Sequence, residues 1–198
     1  MKIILYSFRR CPYAMRARMA LSYAGIGYQH REILLKDKPK SLLRYSHKGT
    51  VPVLVVGDTV IDESLEIMFW ALEQNDKDNW RLPKEQIELI QLCDQQFKAQ
   101  LDCYKYSARY DLTELEYRMQ ALWFLDLLAE KLRKNKHLYS DQMCMADSAI
   151  FPFIRQFAFV NKKWFDQTVQ QNLLDWFNFH LNSKLFQTIM IKQPIWQE

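Results

Sequence analysis

Cys11-Pro12-Tyr13-Ala14 stands just behind the apolar run Ile3-Ile4-Leu5-Tyr6. Proline suits the first position of a helix, where its fixed φ fits and its missing N–H has no helical partner to lose. The spacing predicts a strand, a short loop and then a helix with Cys11 at its start. The unpaired N–H groups of the first turn, and the positive end of the helix dipole, favour thiolate over thiol at that place. Arg9, Arg10, Arg16 and Arg18 lie nearby in sequence and add positive charge. Such a pattern builds a nucleophilic sulfur. The plainer alternative is an inert cysteine buried near a helix start.

Two further pieces would complete a site around that sulfur. Val51-Pro52 directly precedes a β-rich run. Proline cannot donate to a sheet, so it belongs at a strand's first residue or in a turn. A cis bond at Pro52 would turn the Val51 N–H and C=O outward, toward an extended peptide ligand, although only ~5% of X–Pro bonds are cis. Glu63-Ser64 ends the next β-rich run and begins a helix. Ser64 reads equally as the cap of that helix or as part of a helix start whose N–H groups hold a carboxylate. Glu63 would pair with a ligand ammonium group.

The elements that must position these residues fall into two textures. Residues 1–75 contain all four glycines and read β-α-β-α-β-β-α. Strands are predicted at 2–6 and 28–34, helices at 12–24 and 64–73, and a short helix or turn at 38–46. Val53-Leu54-Val55-Val56 and Thr59-Val60-Ile61 flank Gly57-Asp58, a hairpin signal. This is a thioredoxin-like layout. Gln74-Asn75-Asp76-Lys77-Asp78-Asn79 has no apolar residue and reads as a linker. The expected organisation is therefore an α/β domain over 1–74, a linker over 75–82 and an all-α domain over 83–198. In the last, Pro83 is placed at a helix start. Ile87, Ile90, Phe97, Leu101 and Tyr104 mark one helical stripe, and Leu115, Met119, Leu122, Ala129 and Leu132 a second, with Thr113 as its cap. Residues 148–160 are apolar nearly all round, as a central bundle helix is. One or two more helices are expected over 167–191.

Composition bounds the function. The chain has 198 residues, 49% of them hydrophobic and 25% charged, an ordinary globular balance. No apolar run approaches the ~20 residues needed to cross a bilayer, and the first residues do not form a secretory signal. Residues 1–75 hold 11 Lys and Arg against 7 Asp and Glu, whereas residues 76–198 hold 16 of each. That excess suits a small anionic ligand and is too slight to argue for nucleic acid. Cys11, Cys93, Cys103 and Cys144 show no metal-ligand spacing, and no C-x-x-C pair occurs, so reduced thiols in the cytoplasm are expected. His30, His47, His137 and His180 also lack ligand spacing. No metal is assigned.

Cys-Pro-Tyr-x-x-Arg-x-Arg, Leu35-Lys36-Asp37-Lys38-Pro39, Val51-Pro52-Val53-Leu54, Ile61-Asp62-Glu63-Ser64 and Met145-Ala146-Asp147-Ser148-Ala149-Ile150-Phe151-Pro152 occur in that order. Together they resemble the glutathione transferase superfamily, and most of all its cysteine-type members, the omega-class transferases and the two-domain bacterial glutaredoxin. The resemblance covers nearly the whole chain. It implies that Cys11 contacts or bonds the glutathione sulfur and that Val51 pairs with the cysteinyl part, with Pro52 cis. It further implies that Glu63 and Ser64 hold the γ-glutamyl group, that Lys38 reaches the glycyl carboxylate and that Tyr13 lines the site. For Lys38, a solvated loop lysine is the alternative. Tyr104, Tyr106 and Tyr110 would wall a hydrophobic substrate pocket, with core packing the better reading for Phe97. Trp164, Trp176 and Trp196 read as packing residues.

The chain departs from the pattern twice. Position 14 is alanine where dithiol glutaredoxins have a second cysteine, so a monothiol route is expected. Cys144 stands where the family places a Ser or Thr cap three residues before Asp147, leaving half a capping box. The expected activity is glutathione-dependent thiol transfer or reduction, acting on a mixed disulfide or by dehydroascorbate-type reduction. Conjugation of glutathione to a small electrophile is the second choice, for which Tyr6 or Ser7 would supply the hydroxyl. A transferase-fold binding module without catalysis is the third. A homodimer is implied by the resemblance alone.

Overall fold

A computed structural model describes residues 2–198. Its sheet has the strand order β2-β1-β3-β4, where β1 is Ile3–Ser7, β2 Gln29–Glu32, β3 Val53–Val56 and β4 Thr59–Ile61. β1 runs parallel to β2 and antiparallel to β3, and β4 closes a hairpin with β3. β1 and β3 are nearly continuous apolar runs, which is why they occupy the buried centre. A parallel pair needs a crossover, and α1 (Pro12–Tyr23) supplies it. α1 ends where Gly25 adopts φ +72; the Gly25 N–H donates to Ser22 O and the Ile26 N–H to Leu21 O, a paired stop that uses the left-handed conformation glycine tolerates. α2 (Lys40–Tyr45) follows β2, and α3 (Ser64–Gln74) follows the hairpin and packs on α1. The thioredoxin-like order expected from the sequence is the observed one.

The chain divides into two compact units, one holding the residues up to Asp78 together with Lys184–Glu198, the other Asn79–Ser183. The expectation that 83–198 form a single helical domain is thereby corrected. The last helix, α10 (Lys184–Ile189), packs on α1. Beyond it, Ile195 bridges in parallel to Glu32 on the edge strand β2, and the Trp196 N–H donates to Glu32 O at 2.8 Å. Trp196 sets its edge against Tyr6 at 5.9 Å, and the Glu198 carboxylate accepts from the Ser41 N–H at 2.7 Å, capping α2. The edge strand left open by the first 75 residues is what this tail covers.

The second unit begins with α4 (Gln86–Leu92), which passes through a π-helical turn at Cys93–Phe97 into α5 (Lys98–Lys105). Pro83 precedes α4 and follows a cis Leu82–Pro83 bond. α6 (Glu114–Lys131) opens with the expected Thr113, which forms a full capping box with Glu116. The phase predicted for this helix is wrong in its first turns. Leu115 and Met119 are 54% and 57% exposed, and Tyr117, Ala121, Phe124, Leu125, Leu128 and Ala129 form the buried face. α7 (Met145–Ala158) is buried almost throughout, as its apolar girth predicts. α8 (Lys162–Thr168) and α9 (Gln171–Asn182) complete the unit. No helix among the described residues is long and apolar enough to cross a membrane.

Candidate active site

Cys11 takes the N-cap position of α1 in extended conformation, with Pro12 as the first helical residue. Its N–H donates to Phe8 O at 3.0 Å, and its C=O accepts from the Met15 N–H at 2.9 Å. The loop carrying it is fixed from below by Arg18, whose buried guanidinium donates to Ser7 Oγ and to the carbonyls of Phe8 and Arg9. Burial pulls the Arg18 pKa down, opposed by the charges of Tyr28, Glu32 and Cys11, so this cation and the Cys11 sulfur feel one another. The Cys11 thiol lies 3.6 Å from Val51 O, within sulfur hydrogen-bond range, and the Val51–Pro52 bond is cis. Cys11 also packs, half-buried, on the cluster of Tyr6, Ile33, Val51 and Val53. The fold thus joins the first two pieces of the constellation.

The third piece differs from expectation in one respect. Glu63, not Ser64, is the N-cap of α3. Ser64 is the first helical residue, and its buried hydroxyl accepts from Arg16 Nε at 3.0 Å. Arg16 in turn lies over the Tyr13 ring at 5.1 Å. One arginine therefore ties α1, just past Cys11, to the start of α3. Glu63 is exposed and pairs with Lys48 Nζ at 2.5 Å; Lys48 also reaches Asp62 Oδ1 at 3.1 Å. A hydrogen bond from the Ser46 hydroxyl, with Lys48 alongside, holds the Asp62 carboxyl below its ordinary range. Lys38 is exposed, and its side chain runs over Gly49: a Cβ there would lie 3.4 Å from its Nζ. Gly49 has φ +58, so both backbone and space call for glycine.

Residues 5–80 match the family described as "Glutathione S-transferase, N-terminal domain". These residues therefore form a glutathione transferase N-terminal domain. Among curated relatives, the "Pyrimidodiazepine synthase" of Drosophila melanogaster is 40% identical over 74 residues, covering 35% of this chain and 30% of that one. "Glutathione S-transferase 1" of Dianthus caryophyllus is 31% identical over 140 residues, covering 69% and 57%. The matches span between about a third and somewhat over half of these relatives. The crystal structure of glutathione transferase Omega 3C from Trametes versicolor superposes with a TM-score of 0.82 over 98% of this chain and 91% of that one, at 16% identity. The last likeness establishes the fold.

Within the transferase fold the predicted pocket tyrosines separate. Tyr104 is 1% exposed and packs on Phe157 at 4.8 Å, so it is core, and its assignment to a substrate wall is corrected. Phe97 stacks on Phe124 at 4.6 Å, also in the core. Tyr106 and Tyr110 are exposed, Tyr106 beside Lys105 and Arg109 and Tyr110 against Tyr117. The two hydroxyls considered for conjugation are both buried: Tyr6 is held by Ser41 and Arg31, Ser7 by Arg18. Lys48 and the Arg16–Ser64 bond were not anticipated. Lys48 was visible as a basic residue three before Val51; nothing in spacing announces a pair 48 residues apart.

Proposed function

We propose that this transferase-fold chain exchanges thiols and disulfides with glutathione through Cys11. The single observation that carries the reading is the Cys11 sulfur at the α1 start, 3.6 Å from the Val51 carbonyl. A peptide running antiparallel to residue 51 would pair with its backbone and bring its own cysteine to that sulfur. The γ-glutamyl carboxylate would meet the start of α3 beside Ser64 and Arg16, where N–H groups and a buried guanidinium favour an anion. Its ammonium would meet Glu63, and Lys38 would reach the glycyl carboxylate. Tyr13 would line the site.

In the first step the Cys11 thiolate attacks the glutathionyl sulfur of a mixed disulfide, and the substrate leaves as its thiolate. In the second a glutathione thiolate attacks the Cys11 mixed disulfide, releasing glutathione disulfide and restoring Cys11. Ala14 supplies no second thiol, so one sulfur does both. Burial and engagement of the Tyr6 and Ser7 hydroxyls favour exchange over conjugation to an electrophile. The homodimer belongs to this reading as well. The test is deglutathionylation of a small mixed disulfide by Cys11→Ser, with a loss of at least about a thousandfold expected. Unchanged exchange in that variant would refute the mechanism. Failure of the unmodified protein to be retained on glutathione–agarose would favour a binding module.

A further inference from the structure

The first unit places three arginines near the Cys11 loop without neutralising them. Arg9 and Arg10 directly precede Cys11, Arg9 half-buried and Arg10 exposed. Arg31 lies on β2, in register with Tyr6 of β1. Among the described residues, none of the three has a carboxylate within ion-pair distance. Glu32, the acid next to Arg31, is buried and already engaged. Its Oε1 accepts from the Arg9 backbone N–H at 2.6 Å, and its Oε2 meets His30 Nε2 at 2.9 Å. Aromatic rings seat the guanidinium groups instead. Arg10 lies over Phe8 at 5.7 Å from the ring centroid, and Arg31 over Trp196 at 4.0 Å. Arg31 also donates to the Tyr6 hydroxyl, while its buried Nε has no hydrogen-bond partner. Phe8, Cys11 and Trp196 all pack, half-buried, against one apolar cluster. The same cluster thus seats the sulfur and the two rings that carry guanidinium groups.

A ring positions a guanidinium without cancelling its charge, so the N–H donors stay available to a planar anion. We infer that the thiol displaced at Cys11 is anionic, with a carboxylate beside its sulfur that meets Arg10. The inference rests on the thiol-exchange reading of the same site. In that reaction the Cys11 thiolate bonds to the glutathionyl sulfur of a mixed disulfide. The S–S bond breaks, and its electron pair leaves on the partner sulfur. Negative charge therefore moves outward, onto a group that already bears a carboxylate. Arg9, Arg10 and Arg31 outnumber the attacking thiolate and Glu32, so the local balance favours that anion over a neutral or cationic partner. Arg10 is the specificity-determining residue, because it is the exposed one and the immediate neighbour of Cys11.

The test compares the glutathionyl disulfides of mercaptoacetate, mercaptoethanol and cysteamine on the full-length chain. At low salt kcat/KM should be at least about fivefold higher for the anionic disulfide than for the cationic one, with the neutral one between. Added salt should shrink the difference. Arg10→Gln should cut that ratio about two- to fivefold, and Arg10→Lys should keep most of it. The ratio compares substrates on one enzyme, so a change in the Cys11 thiolate fraction cancels and a merely structural Arg10 would leave it unmoved. Glutathionylated cysteine peptides flanked by Asp or by Lys separate the sources: a larger preference there assigns an acidic peptide, an equal or smaller one a small thiol. Alkylation of Cys11 by iodoacetate against iodoacetamide, followed on the Cys11 peptide by mass spectrometry, reads the same field without exchange. Arg10→Gln should slow iodoacetate relative to iodoacetamide. No exchange with any disulfide, beside that slowing, would fault the exchange reading alone. Equal kcat/KM for the three disulfides, or an iodoacetate ratio that Arg10→Gln leaves unmoved, would overturn the inference.

Discussion

Opposing influences act on the Cys11 sulfur. The start of α1 and the Arg18 cation favour thiolate, whereas donation to Val51 O favours the thiol. Nucleophilic exchange requires the positive influences to outweigh that hydrogen bond and the half-burial of the thiol, so the alkylation rate of Cys11 should titrate with a midpoint below the ~8.5 of an unstructured cysteine. A midpoint at or above that value would remove the basis for nucleophilic exchange. Glu63 and Lys48 make a second residue-scale test. Lys48 occupies the carboxylate that a ligand ammonium would need. Lys48→Ala should therefore lower the glutathione KM about two- to fivefold, the scale of one exposed ion pair, and Glu63→Gln should raise it. Steady-state kinetics at low salt read both. Much of this site was legible because proline and serine betray backbone geometry: Pro12 marks a helix start, Pro52 a strand start, and Ser64 the next helix. The partners of those residues were not. Whether Ser64 caps or accepts from Arg16 depends on how α3 packs on α1, which no local spacing records.

Each element ending carries its own chemistry. Thr113→Ala should cost about 1 kcal/mol in chemical denaturation, since it removes a side-chain cap from α6. At the end of the first unit, the Tyr23 hydroxyl accepts from the Asp78 N–H at 2.8 Å and donates to Asp76. Burial, with the nearby acids, pushes its pKa up to about 12. A raised phenol pKa contributes stability that is complete below the unfolded value near 10 and is lost as pH rises through the folded one. Unfolding midpoints of Tyr23→Phe and the unmodified chain should therefore converge between about pH 10 and 12. The tail acts as a strap: Glu198→Ala should speed hydrogen exchange at the Lys40 and Ser41 amides, which now donate to that carboxylate. Helix existence was readable from apolar spacing, but the face was not. Leu115 and Met119 fit a 3.6 period as well as Tyr117 and Ala121 do, and only packing chose between them. Cys144 keeps both halves of its capping box with Asp147, and its thiol also donates to the Asp147 carboxylate.

At the scale of the whole chain, the uneven charge follows the proposed work. The excess of Lys and Arg lies in the unit that would hold an anionic tripeptide, while the helical residues balance. The polar linker announced the change of unit, yet the return of 184–198 to the first unit was invisible, since an edge strand awaiting cover leaves no mark on the segment that covers it. The helical core is the sturdier claim: Phe124→Ala should cost about 3–5 kcal/mol, as a cavity beside Phe97 would. Four thiols compete for any oxidant. Cys93 and Cys144 are buried, and Cys11 and Cys103 are partly reachable. The most direct test therefore treats the native chain with glutathione disulfide and locates the adduct by peptide mass spectrometry over time. The account predicts one glutathione, on Cys11, formed first and removed by reduced glutathione. An adduct formed as fast on Cys103, or none on Cys11, would contradict it.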